Sequence, residues 1–373
     1  MKKERKVTWL ELFFDLVFVV GVSSANHHVL QIGQEPEKTW FYLLEYLLMI
    51  TPMWWAWVGQ TMFFNRYGED LKYPQIYMMI QMALLILMTA SFNLNFDKTY
   101  FSFILCYLGI RLVTVIEYFS VSKHCNPIYT QTAILLGKLF SIGIVVAGMS
   151  MLFEGTIRYS VMFLGIFLDI LFPLLYKNHL KKFAVDFPHL AERFGLFVII
   201  TFGESIVVIT GILSTNTYDV SVMLKVLLLF GLICTMFWSY YDNAESLMDN
   251  QLKTNGQLLL YGHYFILVPL MIFAVASHFL IVDTINPVLT LTLFYSSATI
   301  FYLTKHLIFY YHRKKTMNFS LTTAIFMLLG FVLSYSVLLF FQLPNEVALL
   351  FLILLFGLDI SQFNQIKNNH VKK

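Results

Sequence analysis

The sequence predicts an all-α integral membrane protein with about twelve transmembrane helices. Hydrophobic residues make up 58% of the 373 residues and charged residues only 13%, a composition too apolar for the surface of an ordinary water-soluble protein. The apolar residues fall into segments of about 20, the length that crosses roughly 30 Å of hydrocarbon. Short polar connections separate these segments and leave no stretch for a soluble domain.

The first predicted span, at 8–30, follows a basic start and carries two carboxylates near its beginning, Glu11 and Asp15. The carboxylates interrupt the apolar run and no small-x-small cleavage site follows, so we expect an uncleaved first helix rather than a signal peptide. At 100° per residue, Glu11, Asp15, Val22 and Asn26 share one face of this helix. We expect this polar stripe to face protein or water.

The later spans are bounded by ordinary helix and turn signals. Pro127, Pro188, Pro287 and Pro344 stand near predicted starts, where a helix does not use the missing N–H. Polar pieces at 93–97 and 215–219 indicate loops. In chain order these spans are predicted at 39–63, 73–94, 99–121, 127–151, 157–177, 188–213, 220–242, 258–281, 288–311, 319–341 and 345–365.

The distribution of basic residues predicts the orientation of the chain. Most of the 25 lysine and arginine residues fall on the side of the predicted spans that carries both termini. The opposite side carries Lys38, Lys98 and Arg158, with Lys225 near its edge. Both termini are therefore predicted to be cytoplasmic.

Three collinear matches predict an internal repeat, with offsets of 192 − 11 = 181, 236 − 53 = 183 and 358 − 168 = 190. The offsets increase slowly along the chain, as loop insertions would make them do. We expect two tandem six-helix repeats in the same orientation, residues 1–180 and 181–373. The matched segments are Trp9–Phe13 with Leu190–Phe194, Met53–Trp57 with Met236–Tyr240, and Leu168–Ile170 with Leu358–Ile360.

Charged residues inside the predicted spans are the candidates for a substrate or ion pathway. A central Asp, Lys or Arg costs roughly 2.5–3.5 kcal/mol on insertion scales, so such residues usually face a bundle interior or a wet cavity. Arg111 is a candidate counter-ion for Asp15 or Asp169. The alternative interpretation is that Arg111 with Asp169, and Lys305 with Asp359, form fixed ion pairs that hold helices together. The pathway candidates are Asp15, Arg111, Asp169, Glu204, Lys305 and Asp359.

A second group of charged residues, Glu11, Glu192 and Arg193, lies nearer the predicted interface. Snorkelling to water explains these three positions as well as a functional role does. In the repeat alignment Glu11 corresponds to Glu192, whereas Leu196 stands where a counterpart of Asp15 would be. This asymmetry favours Asp15 as the functional carboxylate of the first span.

The sequence contains no motif of a familiar enzyme or metal site. GxGxxG, Walker, HExxH and GxSxG sequences are absent, and Cys106, Cys125 and Cys234 are far apart. His263 and His278 share a predicted helix but are about 22 Å apart by helical rise. We expect no catalytic residue, metal, cofactor or nucleic-acid partner, and the question of enzymatic activity stays open.

Two segments resemble the bacterial low temperature requirement protein A (LtrA) family. They are residues 9–19, WLELFFDLVFV, and residues 189–206, HLAERFGLFVIITFGESI, with Phe202 where the family pattern suggests Leu. The resemblance in size and hydropathy extends over the whole chain. It implies a multi-pass protein of the bacterial plasma membrane and marks Glu11, Asp15, Glu192, Arg193 and Glu204 as motif positions. It implies no substrate or mechanism.

These observations favour a transporter or channel-like protein for a small solute or ion, proton-coupled through intramembrane carboxylates. Two alternatives remain: a membrane-embedded enzyme that acts on a lipid or isoprenoid substrate, and a non-catalytic sensor or assembly factor. The expected partners are the lipid bilayer and an unidentified small solute, ion or lipid. A homo-oligomer is compatible with the sequence.

Overall fold

The computed structural model describes residues 5–92, 96–122, 127–181, 184–215 and 219–371, which form 13 α-helices and three 3₁₀ turns. Cys125, and residues 93–95 and 216–218 of two predicted loops, lie outside the described residues. The helices are α1 (Trp9–Leu30), α2 (Thr39–Tyr67), α3 (Pro74–Thr89), α4 (Phe96–Val121), α5 (Pro127–Met149), α6 (Gly155–Leu175), α7 (Lys177–Lys181), α8 (Phe187–Thr215), α9 (Val220–Leu247), α10 (Gln257–Val282), α11 (Pro287–His312), α12 (Leu321–Phe341) and α13 (Asn345–Val371).

The all-helical fold class is confirmed, whereas the number of twelve spans is not. Each predicted span corresponds to one helix, but only ten of the described helices are long and apolar enough to cross a membrane. The other two are α2 and α3. Helix α3 has 16 residues, which gives about 24 Å at 1.5 Å per residue and is shorter than the hydrocarbon core. Exposed apolar side chains such as Phe326, Leu333 and Phe340 suit a surface in contact with lipid.

Local sequence explains where several helices begin. Pro74 and Pro287 occupy the first turn of α3 and α11, where no N–H is needed. The side chains of Asp219, Asn286 and Ser320 each accept a hydrogen bond from the backbone N–H two residues later, which caps α9, α11 and α12. These caps satisfy backbone donors that would otherwise have no partner in an apolar environment.

The chain divides into two compact units. Unit 1 comprises the described residues of Met1–His28, Leu43–Arg193 and Lys253–Gln257. Within it, α3 packs on α4, α4 on α5 and α5 on α6. The last of these contacts needs glycine, because a Cβ at Gly165 would lie 2.3 Å from the backbone nitrogen of Ala147.

Unit 2 comprises the described residues of Val29–Tyr42, Phe194–Leu252 and Leu258–Lys373. In this unit α9 packs on α11 and α13, and α11, α12 and α13 pack in succession. Helix α10 is the most deeply buried of the ten apolar helices. Both units therefore contain a run of three consecutive helices, α4–α6 and α11–α13, that pack against one another.

Candidate functional site

The first buried polar group is the Arg193 network of unit 1, formed by Glu11, Asp15, Trp57, His189 and Arg193. Arg193 donates from Nη2 to Asp15 Oδ1 at 3.0 Å and from Nη1 to Glu11 Oε1 at 3.3 Å. The indole Nε1 of Trp57 donates to Asp15 Oδ1 at 2.7 Å. All five side chains are buried, so both carboxylates are held by protein donors rather than by water.

The remaining contacts of the network balance its charges. His189 Nε2 lies 3.3 Å from Glu11 Oε1, and Arg5 Nη2 lies 4.0 Å from the same oxygen. Asn65 Nδ2 lies 3.1 Å from His189 Nδ1; because an amide nitrogen donates, the histidine proton is assigned to Nε2, facing Glu11. Two arginines thus oppose two carboxylates within unit 1, and His189 Nε2 lies within ion-pair distance of Glu11 but makes no hydrogen bond among the described residues.

The second group is the Arg111 site of unit 1, formed by Tyr107 and Arg111 of α4 and Asp169 of α6. Arg111 Nε donates to Asp169 Oδ2 at 2.9 Å, and the guanidinium carbon lies 4.6 Å from the centroid of the Phe140 ring. The three polar side chains are completely or almost completely buried. Arg111 Nη1 and Nη2, Asp169 Oδ1 and the Tyr107 hydroxyl have no hydrogen-bond partner among the described residues.

Two glycines allow this pair to form. A Cβ at Gly59 of α2 would lie 2.4 Å from Arg111 Nη1, and one at Gly143 of α5 would lie 2.0 Å from Asp169 Oδ1. Both distances are far below van der Waals contact. The guanidinium and the carboxylate therefore lie directly against helix backbone, and any other residue at either glycine position would push them aside.

The third group is the Glu117 site of unit 1, a buried carboxyl group held by amides. Gln60 Nε2 donates to Glu117 Oε1 at 3.0 Å, and Gln81 Nε2 lies 3.2 Å from Glu117 Oε2 and 2.8 Å from Gln60 Oε1. Thr114 completes the group at 3.5 Å from Gln81 Nε2. In the described part of the chain no basic side chain pairs with Glu117, so a buried acid here has only neutral donors.

Unit 2 contains the Lys305 pair, formed by Lys305 of α11, Asp359 of α13 and Ser239 of α9. Lys305 Nζ donates to Asp359 Oδ2 at 2.6 Å and to Ser239 Oγ at 2.5 Å, and lies 3.5 Å from the Ser239 carbonyl oxygen. The Ser239 hydroxyl in turn lies 2.6 Å from Asp359 Oδ2. Because three acceptors surround an ammonium group with three protons, this pair is closed.

The structure assigns partners that the sequence left open. Arg111 pairs with Asp169, and Asp15 pairs with Arg193 instead of Arg111. Glu11 and Arg193 are completely buried, whereas snorkelling would require their charged groups to reach water; Glu192 is exposed.

Glu204 is half-buried in α8. Among the described residues, no group of three or more His, Cys, Asp or Glu side chains is arranged to hold a metal ion.

Sequence reasoning missed several polar partners. Trp57 lies in the aromatic segment Met53–Trp57, and the sequence alone gives no sign that its indole N–H donates to Asp15. Gln60 and Gln81 are visible in the sequence as amides inside apolar helices. Ser239 is visible only as a small polar residue, and its contact with Asp359 is seen only in the structure. Neutral polar side chains in apolar helices are therefore candidate partners of buried charges.

Comparison with known proteins places the chain in a family. The family model described as bacterial low temperature requirement A protein (LtrA) matches residues 6–355. The chain is also 22% identical over 294 residues to the uncharacterized protein RA0937 of Rhizobium meliloti (strain 1021), an alignment that covers 74% of this chain and 70% of that protein. No solved structure matches the chain. The chain, a polytopic helical protein of membrane-like architecture, belongs to the bacterial low temperature requirement A protein family.

Proposed function

We propose that this protein is a transporter or channel-like protein that moves a small solute or ion across the bacterial plasma membrane. The observation that carries the proposal is the Arg111 site, a buried ion pair in membrane-type helices whose polar atoms are only partly used by the protein. Charged groups at membrane depth are costly and usually serve a pathway. A purely structural ion pair would be expected to use most of its donors, as the Lys305 pair does.

The buried carboxylates support proton coupling as part of this proposal. Asp15 and Asp169 each oppose one arginine, so protonation of either carboxyl would release that arginine from its partner. Such a change links the charge of the site to the protein contacts around it. Lys305 and Asp359 remain pathway candidates of lower rank, because their contacts are satisfied within unit 2, and half-buried Glu204 of α8 remains a candidate.

The repeat, the twelve spans and the cytoplasmic termini belong to the same proposal. Arg111 and Asp169 join α4 to α6, and Lys305 and Asp359 join α11 to α13, at offsets of 305 − 111 = 194 and 359 − 169 = 190. The second offset is the one already given by the match of Leu168–Ile170 with Leu358–Ile360, and the first differs from it by four residues. The equivalence supports two six-helix halves with the same orientation.

The proposal is tested with purified protein in proteoliposomes that contain a pH-sensitive dye. Potassium, formate or glycine is added outside under an imposed pH gradient, and the change in internal pH is followed. We expect at least one probe to drive proton movement that Asp169→Asn and Asp15→Asn reduce about tenfold or more. Glu192→Gln removes an exposed carboxylate and is the matched control, expected to behave as the wild type.

The opposite outcome is also informative. If Asp169→Asn and Asp15→Asn vesicles show the same fluxes as wild-type vesicles, while both variants elute as folded protein, the buried carboxylates do not line a pathway. The transport proposal would then be abandoned in favour of a structural role for these residues.

A further inference from the structure

The Arg111 site combines free donors and a free acceptor in one buried place. Arg111 uses only Nε toward Asp169, and its Nη1 and Nη2 groups have no partner in the described part of the chain. Asp169 uses only Oδ2, and its Oδ1 is likewise unpartnered. Tyr107, one helical turn before Arg111 on the same face of α4, adds an unpartnered hydroxyl.

The orientation of the guanidinium is fixed from three sides. Asp169 holds Nε, the Phe140 ring lies under the guanidinium at 4.6 Å, and Nη1 lies against the backbone of Gly59. A guanidinium held in this way presents its two terminal nitrogens as a preformed fork. Such a fork matches the two oxygens of a carboxylate in geometry and in charge.

The net charge of the site limits which carboxylate it can take. Arg111 and Asp169 neutralise each other, so a bare anion would leave an uncompensated charge in a buried place. A carboxyl group that arrives with a positive charge of its own avoids this penalty. That charge is either an ammonium group on the same molecule or a proton taken up with it, and Asp169 Oδ1 is an acceptor that has no partner among the described residues.

We propose that Tyr107, Arg111 and Asp169 form a binding site for a small carboxylate whose charge is balanced by a proton or by its own ammonium group. The carboxylate oxygens accept from Arg111 Nη1 and Nη2, and the proton or ammonium group donates to Asp169 Oδ1. The Tyr107 hydroxyl supplies one further hydrogen bond. This inference names the substrate class of the proposed transporter and rests on that function for its biological role.

The surroundings of Asp169 define the pH dependence. The titratable groups that face Asp169 among the described residues are Arg111 and Tyr107, both of α4. From α5, Gly143 faces it, and Lys138 of the same helix is exposed. A monocarboxylate that binds with one proton should therefore bind about tenfold more tightly per unit decrease in pH, whereas a zwitterion should bind equally well across the neutral range.

The inference is tested by equilibrium dialysis of the purified, detergent-solubilised full chain against radiolabelled formate and radiolabelled glycine. Binding is measured at about pH 5.5 and about pH 7.5, with chloride and methylammonium as competitors that lack a carboxyl group. We expect saturable binding of one probe or both, with neither competitor displacing it. Formate binding that strengthens at low pH identifies the proton, and pH-independent glycine binding identifies the ammonium group.

Three variants localise the binding. Arg111→Gln and Arg111→Lys are expected to weaken it by about tenfold or more, because neither residue offers a planar fork. Tyr107→Phe removes only a hydroxyl that has no partner among the described residues, so it is expected to fold normally and to weaken binding about threefold to tenfold. Lys138→Gln removes one exposed positive charge and is the control, with no change expected.

The results separate this inference from the transport proposal. If formate and glycine bind the wild type no better than they bind folded Tyr107→Phe protein, and the Arg111 variants that fold bind equally well, the polar atoms take up water only and the inference is overturned. Transport of potassium without any binding of carboxylates would support the transport proposal and refute the proposed carboxylate substrate. Carboxylate binding without any flux across the vesicle membrane would support the binding site and refute the transport proposal.

Discussion

Units 1 and 2 each contain a buried ion pair between the first and third of three consecutive helices, but the two pairs differ in how far the protein satisfies them. Lys305 directs its ammonium group at Asp359 and at two oxygens of Ser239. Arg111 makes one hydrogen bond, to Asp169, and two of its nitrogens have no acceptor among the described residues. The first and third helices of such a run thus carry an open pair in unit 1 and a closed pair in unit 2.

The difference in hydrogen bonding between the two pairs indicates how a structural ion pair can be distinguished from a functional one. Leaving a buried donor or acceptor without a partner costs about 1–3 kcal/mol for each group. A pair that only joins helices gains nothing from such a penalty, and Ser239 shows that one small hydroxyl is enough to close it. The open pair is therefore the better candidate for a ligand site, although the two look alike in sequence.

The choice of cation reinforces the contrast. Lysine presents a compact point charge that a serine and an aspartate can surround, whereas arginine presents a planar fork with more donors than one carboxylate can use. At the open pair the helices also approach through Gly59 and Gly143, so no neighbouring side chain reaches the guanidinium or the free carboxylate oxygen from these two positions.

The largest expected effect comes from breaking each pair and then replacing it by apolar residues. Lys305→Met or Asp359→Asn alone leaves a buried group without its partner and should lower the free energy of unfolding by about 3–5 kcal/mol. The double variant Lys305→Met with Asp359→Leu should recover most of this loss, because an apolar pair of similar volume needs no partner. Unfolding in one fixed detergent, followed by circular dichroism, measures both.

The matching double variant of the open pair, Arg111→Met with Asp169→Leu, should also recover stability but should lose carboxylate binding and flux. The Lys305 double variant should retain both activities. Loss of flux in the Lys305 double variant, with its stability recovered, would contradict the division into a closed structural pair and an open functional pair.

An intermediate effect is expected at Gly143, the glycine of α5 that lies against Asp169. Gly143→Ala in α5 would place a Cβ 2.0 Å from Asp169 Oδ1, and should lower the free energy of unfolding by about 1–3 kcal/mol and weaken carboxylate binding. Gly330→Ala in α12 would meet only Leu355 Cδ2, at 2.8 Å, which is the end of a flexible side chain. Its cost should be smaller, with flux unchanged.

Gly148→Ala provides the control within α5, because its Cβ would lie at an ordinary 3.6 Å from Leu108 Cδ1. The gain in helix propensity there should leave stability equal or higher by up to about 1 kcal/mol. Thermal unfolding and dialysis on the three variants rank the positions. Equal losses at Gly143 and Gly148 would show that α5 tolerates no larger residue anywhere, and would remove the argument for a special approach at Asp169.

The sequence predicted the helices well, because length, apolarity and flanking proline or polar signals are local properties. It also identified Arg111, Asp169, Lys305 and Asp359, since a charge in an apolar run is visible without any structure. It could not assign Arg193 to Asp15, because the two residues are 178 positions apart and their contact depends on how helices pack. Nor could it distinguish the closed pair from the open one, because the difference lies in neutral neighbours: Ser239 beside the first pair, and Gly59 and Gly143 beside the second.

The smallest expected effect concerns Glu117, which extends the comparison to a buried acid with no cation. Because Gln60 and Gln81 are its partners, Glu117→Gln exchanges one neutral hydrogen-bonding group for another if the acid is held uncharged, and should change the free energy of unfolding by less than about 1 kcal/mol. Asp169→Asn, measured beside it, leaves Arg111 unpaired and should lose about 3–5 kcal/mol. A loss of that size in Glu117→Gln would mean that Glu117 is ionised and balanced by a charge elsewhere. A buried acid without a paired cation would then not have to be neutral in this protein.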